Sequence, residues 1–357
     1  MGQLANRSPV RSGLPEYADK HEIRSTKYET NAKRRKLETS EERCGHAARR
    51  PHFWARPVRS VFCPAAIFGA ILGVAFALAM LVGCDREAPP APATAPAHRH
   101  PTVASVVPAA TDMILNMGLS DHLVGVSNYE PKTAELRDVP RVGDYHTVDW
   151  ERLSVLRPDI LVVNRPATEM PAAFRDRATG LGIRLVDIHT DRLDDIFAAI
   201  RKLGIEVDQK PKAQELEKRI RGQLDAVRQR VAGLGLAPTV LVLDDQHTFV
   251  VGPRNYLDDL LTIAGGRNLA GDMSKDYPTI DTEKLIAMNP AAVVQLLPEA
   301  PPQVVEQARQ RWAQLGMIQA VKDGRVIILT DWYLTLPSTH IGDVCEKLSE
   351  ALHPPAR

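Results

Sequence analysis

The stretch DQKPKAQELEKRIRGQLDAVRQRVAGLG, residues 208–235, decides the fold. Leu216, Ile220, Leu224, Val227 and Val231 recur at three- and four-residue spacing and make one apolar stripe. Glu215, Glu217, Lys218, Arg219, Arg221, Asp225, Arg228 and Arg230 fill the other faces. The spacing predicts one long amphipathic helix, about 35–40 Å in length at ~1.5 Å per residue. Glu215 with Arg219 and Glu217 with Arg221 are i,i+4 pairs with the acid first, the favourable order. Asp208 reads as the N-cap, Pro211 as a first-turn residue, and Gly233 or Gly235 as the terminator.

The segments on either side of this helix are related. Asp144-Tyr145-His146-Thr147-Val148-Asp149-Trp150-Glu151-Arg152-Leu153 aligns without a gap with Asp276-Tyr277-Pro278-Thr279-Ile280-Asp281-Thr282-Glu283-Lys284-Leu285, at a constant offset of 132 residues. Leu156-Arg157-Pro158 against Met288-Asn289-Pro290, and residues 160–163 against 292–295, continue the match. Two copies at so long a period do not make a solenoid. They predict two similar lobes flanking a rigid connecting helix.

Within each copy, short apolar runs alternate with helical patterns, which predicts parallel α/β lobes. In the first lobe, strands are expected at 103–107, 123–126, 160–163 and 184–188, with helices at 110–117, 149–156, 172–181 and 193–203. In the second, strands are expected at 240–243, 249–251, 292–296 and 326–329, with helices at 257–264, 282–288, 304–315 and 341–352. The domain boundaries follow: 102–207 and 236–357 for the lobes, with the bridging helix at 208–235.

The 357 residues and 44% hydrophobic content suffice for a core of this size. A net charge of +1 speaks against a dedicated nucleic-acid binder. Residues 1–60 are basic and polar, without apolar periodicity. They are expected to be disordered, or to precede the true start of translation. Residues 61–84 carry no charge, follow Arg56 and Arg59, and end in Leu81-Val82-Gly83-Cys84, which resembles a lipoprotein lipobox. Cys84 would then be lipidated and lead the mature chain. An uncleaved transmembrane helix is the alternative, and the cysteine closing the apolar run favours the lipobox. The Pro/Ala-rich residues 85–101 read as a tether. Either way the lobes lie outside the cytoplasm, attached to a membrane. Of the cysteines, only Cys345 falls within the lobes, so no internal disulfide is expected there.

Ser105-Val106-Val107-Pro108-Ala109-Ala110-Thr111-Asp112, Leu123-Val124-Gly125-Val126-Ser127-Asn128-Tyr129, residues 153–160, Ala264-Gly265-Gly266-Arg267-Asn268-Leu269 and Thr330-Asp331-Trp332-Tyr333 carry a family resemblance. From Thr102 onward the chain resembles the periplasmic binding proteins for cobalamin and ferric siderophores, the helical-backbone class that serves ABC importers. The resemblance implies a monomer with a ligand cleft between the lobes, a permease dimer with its ATPase as partner, and cobalamin or a ferric siderophore as cargo. By motif, Glu151 and Glu283 would dock on permease arginines. Tyr129, Tyr145, Phe249, Tyr277, Trp332 and Tyr333 match cleft aromatics or their neighbours. Such rings suit a large flat ligand, and Asp331 suits its amide donors. The cobalamin binders of this class have tryptophans where Tyr145 and Tyr277 stand, and a disulfide for which Cys345 has no partner. His146, His189, His247 and His340 leave a metal-ion cargo open as an alternative, as does haem.

For an enzyme, no G-x-S-x-G, H-E-x-x-H or Walker loop is present. Asp244-Asp245 is better read as shaping the loop after a strand than as an acid–base pair. No resident cofactor is expected.

Overall fold

The computed structural model describes residues 100–131 and 133–354. The expectations for residues 1–60, the 61–84 segment, Cys84 and most of the tether lie outside these described residues. The first lobe comprises β1 (Val103–Ser105), α1 (Pro108–Asn116), a 3-10 turn (Ser120–His122), β2 (Leu123–Gly125), α2 (Trp150–Leu156), β3 (Ile160–Val163), a second 3-10 turn (Ala167–Glu169), α3 (Ala172–Gly180), β4 (Arg184–Asp187) and α4 (Leu193–Glu206). The long helix α5 (Lys210–Val231) follows. The second lobe has β5 (Ala237–Val242), α6 (Tyr256–Ile263), β6 (Gly266–Asn268), α7 (Thr282–Met288), β7 (Ala292–Leu296), α8 (Pro302–Ala313), α9 (Gln319–Lys322), β8 (Val326–Leu329) and α10 (Ile341–Leu352).

Both sheets are parallel, in the orders β2-β1-β3-β4 and β6-β5-β7-β8. Substituting β5, β6, β7 and β8 for β1, β2, β3 and β4 turns one order into the other, so the repeat is structural. It extends to helix ends. Asp149 caps α2 by accepting from the Arg152 amide at 2.9 Å, and Asp281 caps α7 by accepting from the Lys284 amide at 2.7 Å. Arg157 and Asn289 end these helices in the left-handed region, at φ 47° and 42°.

The central strands are buried on both faces, which explains their unbroken apolar runs. Gln295 is the polar exception in β7. It is fully buried but satisfied, donating to the Asp244 carbonyl (2.6 Å) and accepting from the Trp312 indole (2.8 Å).

Helix α5 buries Ala213, Leu216, Ile220, Leu224 and Val227, packing on α4 on one side and α10 on the other. Glycines permit both contacts. A Cβ on Gly204 of α4 would collide with the Ala213 Cβ, and one on Gly342 of α10 would run into Gln223. Among the described residues, no helix is long and apolar enough to cross a membrane.

Several expectations are corrected. Asp208 does not cap α5. It sits at φ 57° in the tight turn from α4, and Gln209 precedes the helix without a side-chain cap. The helix ends at Val231, which is only half-buried, while Ala213 extends the stripe at the other end. Residues 249–251 form isolated bridges, Val242 with Val250 and Phe249 with Thr279, rather than a strand. The fourth strand is instead β6, which begins at Gly266 just past the helix expected at 257–264. Among the described residues, Cys345 is a buried free thiol.

Gly204→Ala should lower stability by about 1–3 kcal/mol through overpacking. Gly222→Ala, on α5 with open space around the glycine, should raise it by about 0.5–1 kcal/mol. Urea denaturation of the two variants is expected to give opposite signs.

Candidate ligand-binding site

All seven residues expected to contact ligand lie on connections that leave the carboxyl ends of strands: Tyr129 and Tyr145 after β2, Phe249 after β5, Tyr277 after β6, and Asp331, Trp332 and Tyr333 after β8. In open parallel sheets this is the end that receives ligands. The rings form three groups. Tyr129 and Tyr145 lie 5.8 Å apart by centroid, Phe249 and Tyr277 lie 6.1 Å apart, and Trp332 meets Tyr333 edge-on at 5.7 Å. Tyr129 and Trp332 are exposed, at 38% and 39%.

Local turns hold these rings. Asp144 accepts from the amides of His146 and Thr147, both at 2.9 Å, so Tyr145 stands at the tip of a closed turn. Gly143 enters that turn at φ 109°, where a Cβ would strike the Thr147 carbonyl. In the second lobe, backbone bonds from Val250 to Pro278 (3.0 Å) and Gly252 to Asp276 (2.9 Å) lash the Tyr277 segment to the Phe249 segment. Asp331 already pairs with Lys347 at 3.0 Å, so one carboxylate oxygen is committed.

The sequence reading missed the group that joins the lobes beneath these rings. Asp112 of α1 is 7% exposed. It accepts from the hydroxyls of Ser338 (2.6 Å) and Thr339 (2.5 Å) and from the Thr339 amide (3.2 Å), all in the second lobe. His340 places Nε2 3.5 Å from Asp112 and Nδ1 3.0 Å from Asp343, and its ring stacks on Tyr333 at 4.6 Å. Burial alone would raise the Asp112 pKa, but the bonds from His340, Ser338 and Thr339 outweigh it and hold the carboxyl below its usual value. Burial likewise opposes charge on His340, yet its two carboxylate partners keep it above the ordinary histidine value. Glu130, next to Tyr129, behaves in the opposite way. Burial pushes it up to about 7, with the Asp112 charge adding and Arg141 opposing. An aspartate on the buried face of a helix was the available signal, since such a group requires partners that only the distant segment supplies.

The other three histidines singled out from the sequence are dispersed. His247 is buried against Trp312, with centroids 3.9 Å apart, and burial lowers its pKa to about 4. His189 lies 3.5 Å from Asp187, and His146 packs on Tyr145. Asp244 accepts from the Thr248 amide (3.0 Å) and hydroxyl (2.8 Å), the loop-shaping role expected of it. A separate open recess of about 880 Å³, lined by Arg192, Leu234, Leu236, Asp259 and Thr262 among others, contains none of the seven residues.

Glu151 and Glu283 both stand at the second position of their helices, exposed and tied to no described side chain.

Comparison with known proteins agrees with this fold. The family described as "Periplasmic binding protein" matches residues 103–333. The vitamin B12-binding protein of Salmonella paratyphi A is 25% identical over 194 residues, covering 54% of this chain and 71% of that protein. An uncharacterised ABC transporter substrate-binding lipoprotein of Bacillus subtilis, YvrC, is 22% identical over 257 residues, covering 71% and 80%. Among solved structures, the periplasmic vitamin B12-binding protein of Vibrio cholerae aligns at TM-score 0.59 and 21% identity, over 71% of this chain and 96% of that one. A periplasmic heme-binding protein of Pseudomonas aeruginosa aligns at 0.60 and 24%, over 72% and 94%. Likeness at this level speaks for the fold.

The Asp112 linkage has a definite pH signature. Asp112, lowered on folding, stabilises above its unfolded value, and that contribution disappears as pH falls through its folded value. His340, raised, stabilises below its unfolded value and loses its contribution as pH rises through its folded value. Both are charged between about pH 4 and about pH 6.5. Asp112→Asn should cost about 1–3 kcal/mol in that window and flatten the stability–pH profile. Chemical denaturation between pH 4 and 8 measures both effects.

Proposed function

Because the chain belongs to the periplasmic binding protein family, we propose that this substrate-binding protein of an ABC transporter captures cobalamin or a related corrinoid between its lobes. The observation that carries the reading is the placement of aromatic pairs at the carboxyl ends of both sheets, with Trp332 and Tyr333 beside the lobe junction. Such rings give a wide planar ligand apolar contact at low entropic cost. The vitamin B12-binding relatives support this choice of cargo. Calorimetric titration of the purified protein with cobalamin, hemin and a ferric hydroxamate tests it. Saturable cobalamin binding is expected, and binding of either of the others alone would reassign the cargo within the class. Tyr145→Ala and Tyr277→Ala should each weaken binding by ~1–3 kcal/mol, about 5- to 150-fold, without unfolding the lobe by circular dichroism.

The permease and its ATPase are the partners of this class, and Glu151 and Glu283 are the proposed docking contacts. Their equivalent helix positions and unengaged carboxylates support the reading. Exposed rim charges steer association while adding little to folding. The double variant Glu151→Lys, Glu283→Lys should keep ligand affinity and melting temperature. Stimulation of the reconstituted importer's ATPase should fall about tenfold or more.

Cys84 is the proposed lipid anchor, supported by Leu81-Val82-Gly83-Cys84 and by the lipoprotein named among the relatives. Cys84→Ser should abolish incorporation of labelled palmitate and leave the precursor uncleaved.

A further inference from the structure

At the opposite end of the first sheet, where the chain enters β1, three potential metal ligands converge. His100 stands two residues ahead of Thr102, while Asp121 and His122 lie on the 3-10 turn that leads into β2. Their ligating atoms all lie within 4.8 Å of one another. Around a tetrahedral ion with bonds of about 2.0–2.2 Å, neighbouring ligand atoms sit roughly 3.3–3.6 Å apart. Rotation of the two outer side chains closes that difference, since His100 and Asp121 are 36% and 63% exposed.

His122 is the fixed member. It is 1% exposed, and its Nδ1 lies 2.8 Å from the Pro101 carbonyl. A carbonyl only accepts, so Nδ1 carries the proton and Nε2 keeps a lone pair. This is the arrangement by which a backbone carbonyl orients a metal-binding imidazole. His100 stacks on His122 at 4.4 Å and sets Nε2 3.4 Å from the Asp121 carboxylate. The His100 Nδ1 is buried with no hydrogen-bond partner among the described residues. An ion pair with Asp121 accounts for one nitrogen of His100 and leaves the other buried and unpaired. Lys212 contributes the opposing charge here, though its ammonium is drawn to the Gly118 carbonyl at 3.2 Å.

We propose that His100, Asp121 and His122 form a site for a divalent transition metal of the zinc class, which clips the segment entering the first lobe to the turn before β2. Two imidazoles and one carboxylate suit Zn²⁺, Co²⁺ or Ni²⁺ and discriminate against Mg²⁺ and Ca²⁺, which take oxygen ligands. The site lies at the amino ends of β1 and β2, away from the aromatic groups at the carboxyl ends, so it is independent of the transported cargo.

The test uses the full chain, stripped with EDTA, in a His98→Ala background that removes the neighbouring histidine. Titration with ZnCl2 should give one saturable site at micromolar or tighter Kd, with no response to MgCl2, and zinc should raise the melting temperature. His122→Ala and His100→Gln should each weaken zinc binding by at least about 10- to 100-fold and remove the thermal shift. If His122→Ala fails to fold by circular dichroism, His100→Gln and Asp121→Asn, which alter a partly exposed and an exposed side chain, are expected to show the same loss of zinc binding. No saturable binding up to millimolar zinc, or undiminished binding in the folded variants, overturns the proposal.

Discussion

The close packing of α5 between α4 and α10 is the constraint on which the rest of the molecule depends. One continuous buried cluster runs from Val103 in the first lobe, through Leu216 and Ile220 of the long helix, to Leu352 at the end of the second. The lobes therefore share a core. Two polar attachments reinforce the seam. Arg192 and the Leu193 amide at the start of α4 hold Asp259 of α6, the amide at 3.1 Å, and Asp112 is held by Ser338 and Thr339. A hinge requires a few residues free to absorb large backbone rotations. Here the turn between α4 and α5 is pinned by a 2.7 Å bond from the Gln209 amide to the Gly204 carbonyl. Separating the lobes would leave buried polar groups unpaired at about 1–3 kcal/mol each. Conformational response to a ligand is thus directed to the loops at the carboxyl ends, away from the relation of one lobe to the other.

Much of this architecture was legible in the sequence because it rests on local periodicity and on a repeated motif. The apolar stripe of α5 needs no tertiary information, and the repeat around Asp149 and Asp281 located two capped helices and the strands that follow them. The errors fall where local signals conflict or run short. Asp208 is a good capping residue by type, yet the chain needed a left-handed residue there to reverse from α4 into α5, and aspartate tolerates that region. β6 has only three residues and includes Gly266, so its identity as a strand comes from pairing with β5. The aromatic positions could be read from the family resemblance. The Asp112 linkage could not, because its partners lie 226 and 227 residues away and serine and threonine carry no pattern of their own.

The repeat also has a mechanical consequence. In each lobe the ring and the exposed glutamate stand six residues apart, Tyr145 with Glu151 and Tyr277 with Glu283. Between them lies the aspartate that caps the helix bearing the glutamate. In the first lobe, the Asp149 amide is bonded to the Val142 carbonyl at 2.9 Å, and Asp144 closes the turn that carries Tyr145. In the second, the Ile280 amide is bonded to the Thr248 carbonyl at 2.7 Å, beside Phe249. In the binding mode proposed above, a ligand pressing on either tyrosine would act on a strap whose far end is the first turn of α2 or α7. With the lobes locked together by α5, the separation of the two glutamates is set by the scaffold, while the orientation of each is open to adjustment by its strap. In the docking mode proposed above, a partner reading both carboxylates would sense occupancy as a small change in helix pose. The shared core leaves room for a signal of that kind and opposes one carried by wholesale closure of the lobes.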